Sequence, residues 1–355
     1  MIAINGRFLT QGLTGVQRYA REITRALDGL VGAGEAPPMR LILPLGTDGS
    51  EEFPHLAPST FGTRGGQLWE QLDLPRASKG DFLLNLGNTA PLIQGRNQAV
   101  VIHDAGVFDT PESYSWKFRN WYRGLQRGLV FREAQFLSVS QFSAGRMAAN
   151  LGLDAARIGV TLEGGEHILR EAADAAILAR NGLVPGGYAL VIGTGAAHKN
   201  LAALQHAIGA LAARGLVLAV AGAKDASVFR QDGSPASDAH VKALGRVCDA
   251  ELRALYESAL CLVFPSRYEG FGLPPVEAMW CGCPVVASRA GAVPEVCGDA
   301  ALWFDAARPE SLGEAVASLA DDAALRRQII DAGHTRTKQF SWDAAARRLL
   351  GVLAR

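Results

Sequence analysis

The sequence predicts an α/β protein of two tandem halves, each a parallel sheet wrapped by helices. Three observations carry this. The chain has 355 residues, which is long for one domain. Short apolar runs alternate with segments of helical period from end to end, the pattern of parallel sheets covered on both faces. Glycines are abundant, 40 in all, and cluster where those runs end, as tight strand-to-helix turns require.

In the first half, Ile2 to Asn5 is a strand, followed by the loop GRFLTQGLTG and a helix from Val16 to Leu30. Val16, Tyr19, Ile23, Leu27 and Leu30 share one face of that helix. Leu41 to Leu45 is the second strand, and 46–67, rich in Gly, Pro, Ser and Thr, reads as an irregular surface insertion. Strands follow at Phe82 to Leu86, Gln98 to His103, Phe136 to Val139 and Ile158 to Leu162. Ser140 is the expected N-cap of a helix reaching Leu151. The strand at Gln98 ends in His103-Asp104, and strand C-termini are where open α/β sheets hold ligands. The bland alternative for this pair is a helix cap beside a loop histidine.

The segment 114–132 carries five basic residues, no acidic ones, and Trp116, Phe118, Trp121 and Tyr122. An amphipathic helix packed on the core explains it. So does a basic-aromatic surface that meets anionic head groups or a lipid-linked phosphate.

The second half starts after a join at Glu163 to Pro185. Tyr188 to Ile192 is a strand ending in Gly193-Thr194-Gly195, with Lys199 at the entrance of the next helix, where it can neutralise a bound phosphate. Leu216 to Ala221 is the next strand, 233–239 a loop, and Leu244 to Val247 a short strand before a helix at Ala250 to Ser258. Ala259 to Phe264 leads into YEGFGLPPVEAMWCGCPVVAS, residues 268–288, a strand–loop–helix–strand unit. Pro274 and Pro275 suit a first helical turn, where a missing N–H is harmless. Glu269 in the loop and Glu277 one turn into the helix stand beside a helix N-terminus that attracts anions. Carboxylates there suit hydroxyl groups instead. Ala300 to Phe304 is the last strand, and helices run to a final one at Trp342 to Leu353.

Composition excludes several classes. Hydrophobic content of 48% and charged content of 20% describe an ordinary globular chain, and zero net charge gives nucleic acid no bulk attraction. Five cysteines, all between 248 and 297, predict reduced thiols and a cytoplasmic location. Cys281 and Cys283 lack a nearby partner pair, which favours buried small residues over a metal site. MIAINGRF reads as a strand start and not a signal peptide, and no apolar run reaches the roughly 20 residues of a membrane span. Membrane contact, if made, is expected to be peripheral, at the inner face and through 114–132.

These residues resemble glycosyltransferase family 4, with its two-Rossmann GT-B architecture. The likeness is carried by PSRYEGFGLPPVEAM, where Glu269 and Glu277 meet the family's Glu-x7-Glu motif, and by GCPVVAS, AGAVPEV, GDAALWFD, VIHDAGVFDTPE, VSQFSAGRM and TGVQRYAREI. It implies two Rossmann-like domains facing across a cleft, at 1–168 and 169–341, with 342–355 packing back on the first. It implies retaining transfer of a hexose from a nucleotide-diphosphate sugar to a glycan or lipid-linked hydroxyl. The resemblance points to surface polysaccharide or lipopolysaccharide synthesis, with a GDP-mannose-like donor favoured and a UDP- or dTDP-sugar as the alternatives.

Carried over by residue, the resemblance gives Glu277 to the ribose, Glu269 to the sugar hydroxyls and Lys199 to the diphosphate. Val247 would meet the base through its backbone, and Thr194, Gly270, Phe271, Gly272 and Leu273 would line the donor. Gly12, Gly15, His103 and Asp104 would face the acceptor, with Gly15 also near the diphosphate. His103 and Glu269 are the catalytic candidates. No cofactor and no metal are expected, since no Asp-x-Asp occurs. Three departures stand out: Thr194 where relatives carry Arg, His198 where they carry Arg before the Lys, and EGGEHI, 163–168, in place of an Asn-Gly-Val-Asp turn. The alternatives are an inactive nucleotide-sugar-binding partner subunit and a GT-B epimerase. A nicotinamide dehydrogenase lacks its full glycine fingerprint here.

Overall fold

A computed structural model describes residues 1–193, 197–200, 203–222 and 240–354. The chain divides into two compact units, Met1–Gly164 with Trp342–Arg355, and Gly165–Ser341.

The first unit holds a parallel sheet of seven strands: β1 Ile2–Asn5, β2 Met39–Pro44, β3 Ser59–Phe61, β4 Phe82–Asn85, β5 Gln98–Ile102, β6 Gln135–Ser138 and β7 Gly159–Val160. Their spatial order is β3-β2-β1-β4-β5-β6-β7. The central strands are buried on both faces, so they read as unbroken apolar runs. Val100, Ile102 and Phe136 from the sheet pack against Leu125, Leu129 and Met147 from helices Trp116–Phe131 and Gln141–Leu151. Ser140 caps the second of these, its side chain accepting from the Ser143 amide at 3.0 Å. The last helix, Trp342–Leu353, packs on helix Gly15–Gly32, with Trp342 edge-on to Tyr19 at 5.9 Å.

The described residues of the second unit form six strands: β8 Tyr188–Ile192, β9 Val217–Ala221, β10 Val241–Gly245, β11 Cys261–Phe264, β12 Val285–Ser288 and β13 Ala301–Phe304. All are parallel, in the order β10-β9-β8-β11-β12-β13. This is the doubly wound order, whose direction of winding reverses between β8 and β11; ligands of such sheets sit outside the strand C-termini at that reversal.

Three expectations change. Residues 46–67 are not all irregular surface: β3 pairs with β2, Trp69 Nε1 donates to Phe61 O at 2.7 Å, and Phe53 and Leu56 are fully buried. A three-residue strand with every residue exposed carries no alternation to find. The strand placed at Leu244 to Val247 is instead Val241–Gly245. Gly245 turns the chain with φ 69, so Val247 lies beyond the strand. The unit boundary falls after Gly164, ahead of the 168/169 position. A Cβ on Gly165 would lie 2.6 Å from Val276 Cγ1, so the bare backbone docks the short helix Glu166–Leu169 onto the second unit. Thr194 and the loop 233–239 lie outside the described residues.

Candidate functional site

In the second unit the chemistry collects at the reversal point. After β8 the chain forms the short helix Ala197–Lys199, and after β11 it forms the loop carrying Glu269. The two loops are stitched together: the Arg267 amide donates to His198 O at 2.7 Å, and Asn200 Nδ2 donates to Pro265 O at 3.1 Å. This seating brings Lys199 Nζ to 2.7 Å from Glu269 Oε1, with both side chains partly accessible. Lys199 also lies 5.6 Å over the Phe264 ring.

The Glu269 backbone is held by the AGAVPEV turn. Its carbonyl accepts from the Ala292 amide at 3.0 Å. Gly291, at φ 59, passes so close that a Cβ there would sit 2.4 Å from Glu269 O.

Gly272, at φ 104, swings the chain into helix Leu273–Trp280 with the two prolines in its first turn. Those prolines remove two of the N–H groups that a helix start normally offers an anion. Gly272 and Leu273 keep theirs, while the Val276 amide is used in the helix's first internal bond, to the Gly272 carbonyl. Phe271 is buried edge-on to Phe340 at 5.8 Å, so its side chain serves the core and only its backbone can serve a ligand. Gly270 remains partly accessible beside Glu269, and Val247 lies half-buried in the turn after β10.

Glu277 is almost enclosed, 6% exposed. His167 Nε2 meets its Oε1 at 3.0 Å, and the Tyr256 hydroxyl donates to its Oε2 at 2.9 Å. Burial, then the Glu277 charge, pushes the Tyr256 hydroxyl well above its ordinary value, so it keeps its proton and donates.

In the first unit His103 follows β5 directly and is buried. Its Nε2 lies 3.0 Å from Leu86 O, an acceptor only, so Nε2 carries the hydrogen of that bond. Its Nδ1 lies 3.6 Å from Glu163 Oε1, and the Tyr19 ring stands edge-on at 4.7 Å. Asp104 Oδ1 accepts from the Gly106 amide at 2.7 Å. Gly12 and Gly15 are exposed, and a Cβ added at either would meet nothing within 4 Å, so open space, not protein packing, surrounds both.

Sequence reasoning missed a buried network at the ends of β1 and β4. Arg7 Nε donates to Glu70 Oε1 at 3.2 Å and its Nη2 to Thr89 Oγ1 at 2.8 Å; Asn5 Nδ2 reaches Glu70 Oε1 at 2.8 Å and Asn85 Oδ1 at 3.0 Å. Residues more than 60 positions apart in sequence meet there, and nothing local announces it. His167 and Tyr256 were missed as well, though EGGEHI marked the place of the first.

The basic-aromatic segment is the helix Trp116–Phe131. Two of its arginines turn inward: Arg123 Nε donates to Val107 O at 2.7 Å and Arg119 Nη1 to Pro111 O at 3.3 Å. Trp116, Trp121 and Phe131 remain exposed. Among the described residues no helix is long and apolar enough to cross a membrane.

Two parallel Rossmann-like units of this kind constitute the GT-B fold, and residues 183–336 match the family described as glycosyl transferases group 1, so the second unit carries that domain. Particular relatives sharpen the likeness. The O-antigen chain mannosyltransferase B of Escherichia coli is 33% identical over 252 residues, 68% of this chain and 66% of the relative. The O-antigen chain mannosyltransferase RfbU of Salmonella typhimurium is 28% identical over 223 residues, 61% and 59% of the two chains. The MMP alpha-(1->4)-mannosyltransferase of Mycolicibacterium hassiacum is 43% identical over 108 residues, 29% and 26%. The matches thus span less than two thirds of each relative's length. Among solved structures, Anabaena HepE in complex with UDP and glucose superposes with a TM-score of 0.74 at 19% identity, covering 99% of both chains. WaaG, a glycosyltransferase involved in lipopolysaccharide biosynthesis, gives 0.69 at 13%, also covering 99% of both.

Proposed function

We propose that the protein is a retaining, metal-independent glycosyltransferase that moves mannose from GDP-mannose to a hydroxyl of a growing surface glycan. The observation that carries this reading is the Lys199–Glu269 pair at the winding reversal of a group 1 glycosyl transferase domain. The two O-antigen mannosyltransferase relatives support the choice of sugar and pathway.

In this reading Lys199 and the helix N–H groups stabilise the departing diphosphate, an electrostatic role that needs no metal ion. Glu269 accepts hydrogen bonds from the sugar hydroxyls and fixes the ring. Glu277 holds the ribose, and the Val247 backbone meets the base. The acceptor oxygen bonds to the anomeric carbon on the face the phosphate leaves. The departing phosphate oxygen takes the acceptor proton, so the configuration is retained without a covalent sugar–enzyme intermediate. His103 contacts the transferred sugar, and Asp104, Gly12 and Gly15 serve the acceptor. Trp116 and Trp121 bring the chain to anionic lipid that carries the acceptor.

The test incubates the protein with GDP-mannose, UDP-glucose or dTDP-sugars and a lipid-linked glycan acceptor, with and without EDTA. The reading expects mannosyl product from GDP-mannose alone, in EDTA as well, with the α-anomeric signal by NMR. Product with β configuration, or binding without turnover for every donor, overturns it. The second result would favour a non-catalytic binding subunit.

A further inference from the structure

We infer that His167 and Tyr256 are positioning residues for Glu277, fixing the plane of its carboxylate so that it grips the two ribose hydroxyls of a nucleoside diphosphate; this rests on the donor reading above. Glu277 lies one turn into helix Leu273–Trp280, among the buried apolar side chains of Val276, Ala278 and Met279. A glutamate there has three rotatable bonds and, left alone, no fixed direction. Two donors from separate elements remove that freedom. His167, from the helix Glu166–Leu169, holds Oε1 at 3.0 Å, and Tyr256, from the helix Asp249–Ser258, holds Oε2 at 2.9 Å. Both donors are themselves buried, His167 at 2% and Tyr256 at 0% exposure.

The arrangement is built, not incidental. His167 reaches Glu277 because Gly165 has no side chain: a Cβ there would meet Val276 Cγ1 at 2.6 Å and Trp280 Cδ1 at 2.8 Å. As a pure structural strut the cluster is a poor choice. An apolar residue at 277 would pack at less desolvation cost than a carboxylate with two polar partners. A donor on each carboxylate oxygen sets the plane in which it meets a ligand hydroxyl. A carboxylate already fixed in plane loses little further freedom when a vicinal diol binds it.

The experiment is calorimetric binding of GDP and 2′,3′-dideoxy-GDP, with the uridine pair alongside, to the wild type and to His167→Ala, His167→Gln and Tyr256→Phe. Gln can place an amide N–H where Nε2 stands, and Phe preserves the ring volume, so both keep the fold testable. The wild type is expected to prefer the ribose form by about tenfold or more. His167→Ala and Tyr256→Phe should lose most of that ratio while dideoxy binding stays within about twofold, and His167→Gln should recover part of it. An unchanged ratio, or equal weakening of both ligands, makes the cluster a strut and overturns the inference alone. A wild type that does not distinguish ribose from dideoxyribose, or binds neither nucleotide, overturns the donor reading and the inference with it.

Discussion

Lys199 Nζ and Glu269 Oε1 stand 2.7 Å apart across the loops of adjacent strands β8 and β11. The two charges satisfy each other there. In the proposed reading, a diphosphate arriving beside Lys199 offers it a stronger partner and releases Glu269 to accept sugar hydroxyls. Lys199→Met should therefore weaken donor binding by about tenfold or more. Glu269→Gln should lower turnover by at least about 100-fold with a smaller change in donor KM. Steady-state kinetics on both variants check the split, and a Lys199→Met enzyme with unaltered donor KM counts against the assignment.

His103 has an oxygen facing each ring nitrogen, Leu86 O and Glu163 Oε1. Held so, it presents a fixed edge at the end of β5. His103→Ala is expected to reduce turnover by more than about 100-fold. A near-normal rate would remove it from the machinery.

Gly291 allows the turn behind Glu269 to close. Gly291→Ala places a Cβ 2.4 Å from Glu269 O, at a φ of 59 that already disfavours a side chain. The variant should lose about 1–3 kcal/mol of stability and a disproportionate share of activity, because the displaced backbone is that of Glu269. Thermal melts and kinetics measured together separate the two effects.

The cysteines make a pH prediction. Burial pushes the Cys261 and Cys297 thiols up to about 12, and burial with the Glu257 and Glu277 charges does the same to Cys281. At about pH 8 these thiols are protonated and unreactive, whereas Cys248 is exposed. Alkylation of the native protein at that pH should label Cys248 first. The unfolded chain releases thiol protons at about 8.5, and the fold keeps them until about 12. Stability from this source is thus complete below about 8.5 and declines as pH rises from there to about 12. Urea midpoints at about pH 8 and about pH 10 should fall in that order.

Trp116 is 69% exposed and Trp121 46%. If they meet lipid, sedimentation with anionic vesicles should fall several-fold in a Trp116→Ser, Trp121→Ser double variant, since interfacial binding scales with buried apolar area. Identical sedimentation of wild type and variant would leave the helix as packing alone.

Much of the fold was legible in the chain because its signals are local. Parallel strands buried on both faces announce themselves as apolar runs, as in YALVI and CLVF, and glycine turns mark where each one ends. Glu269 and Glu277 could be singled out for the same reason, since a short run of loop and helix fixes their spacing. β3 escaped because three exposed residues carry no pattern, and its place comes from pairing with β2.

The sequence by itself determined two α/β halves, the loops that hold their chemistry and the residue types available there. Only the tertiary structure decided which of those residues meet. Lys199 and Glu269 are 70 positions apart, His167 and Glu277 110, and Arg7 and Glu70 63. Their contacts depend on strand order and on close approaches such as Gly165 against Val276. Hydrogen bonds act over about 3 Å, and periodicity carries no information at that scale about segments so far apart in the chain.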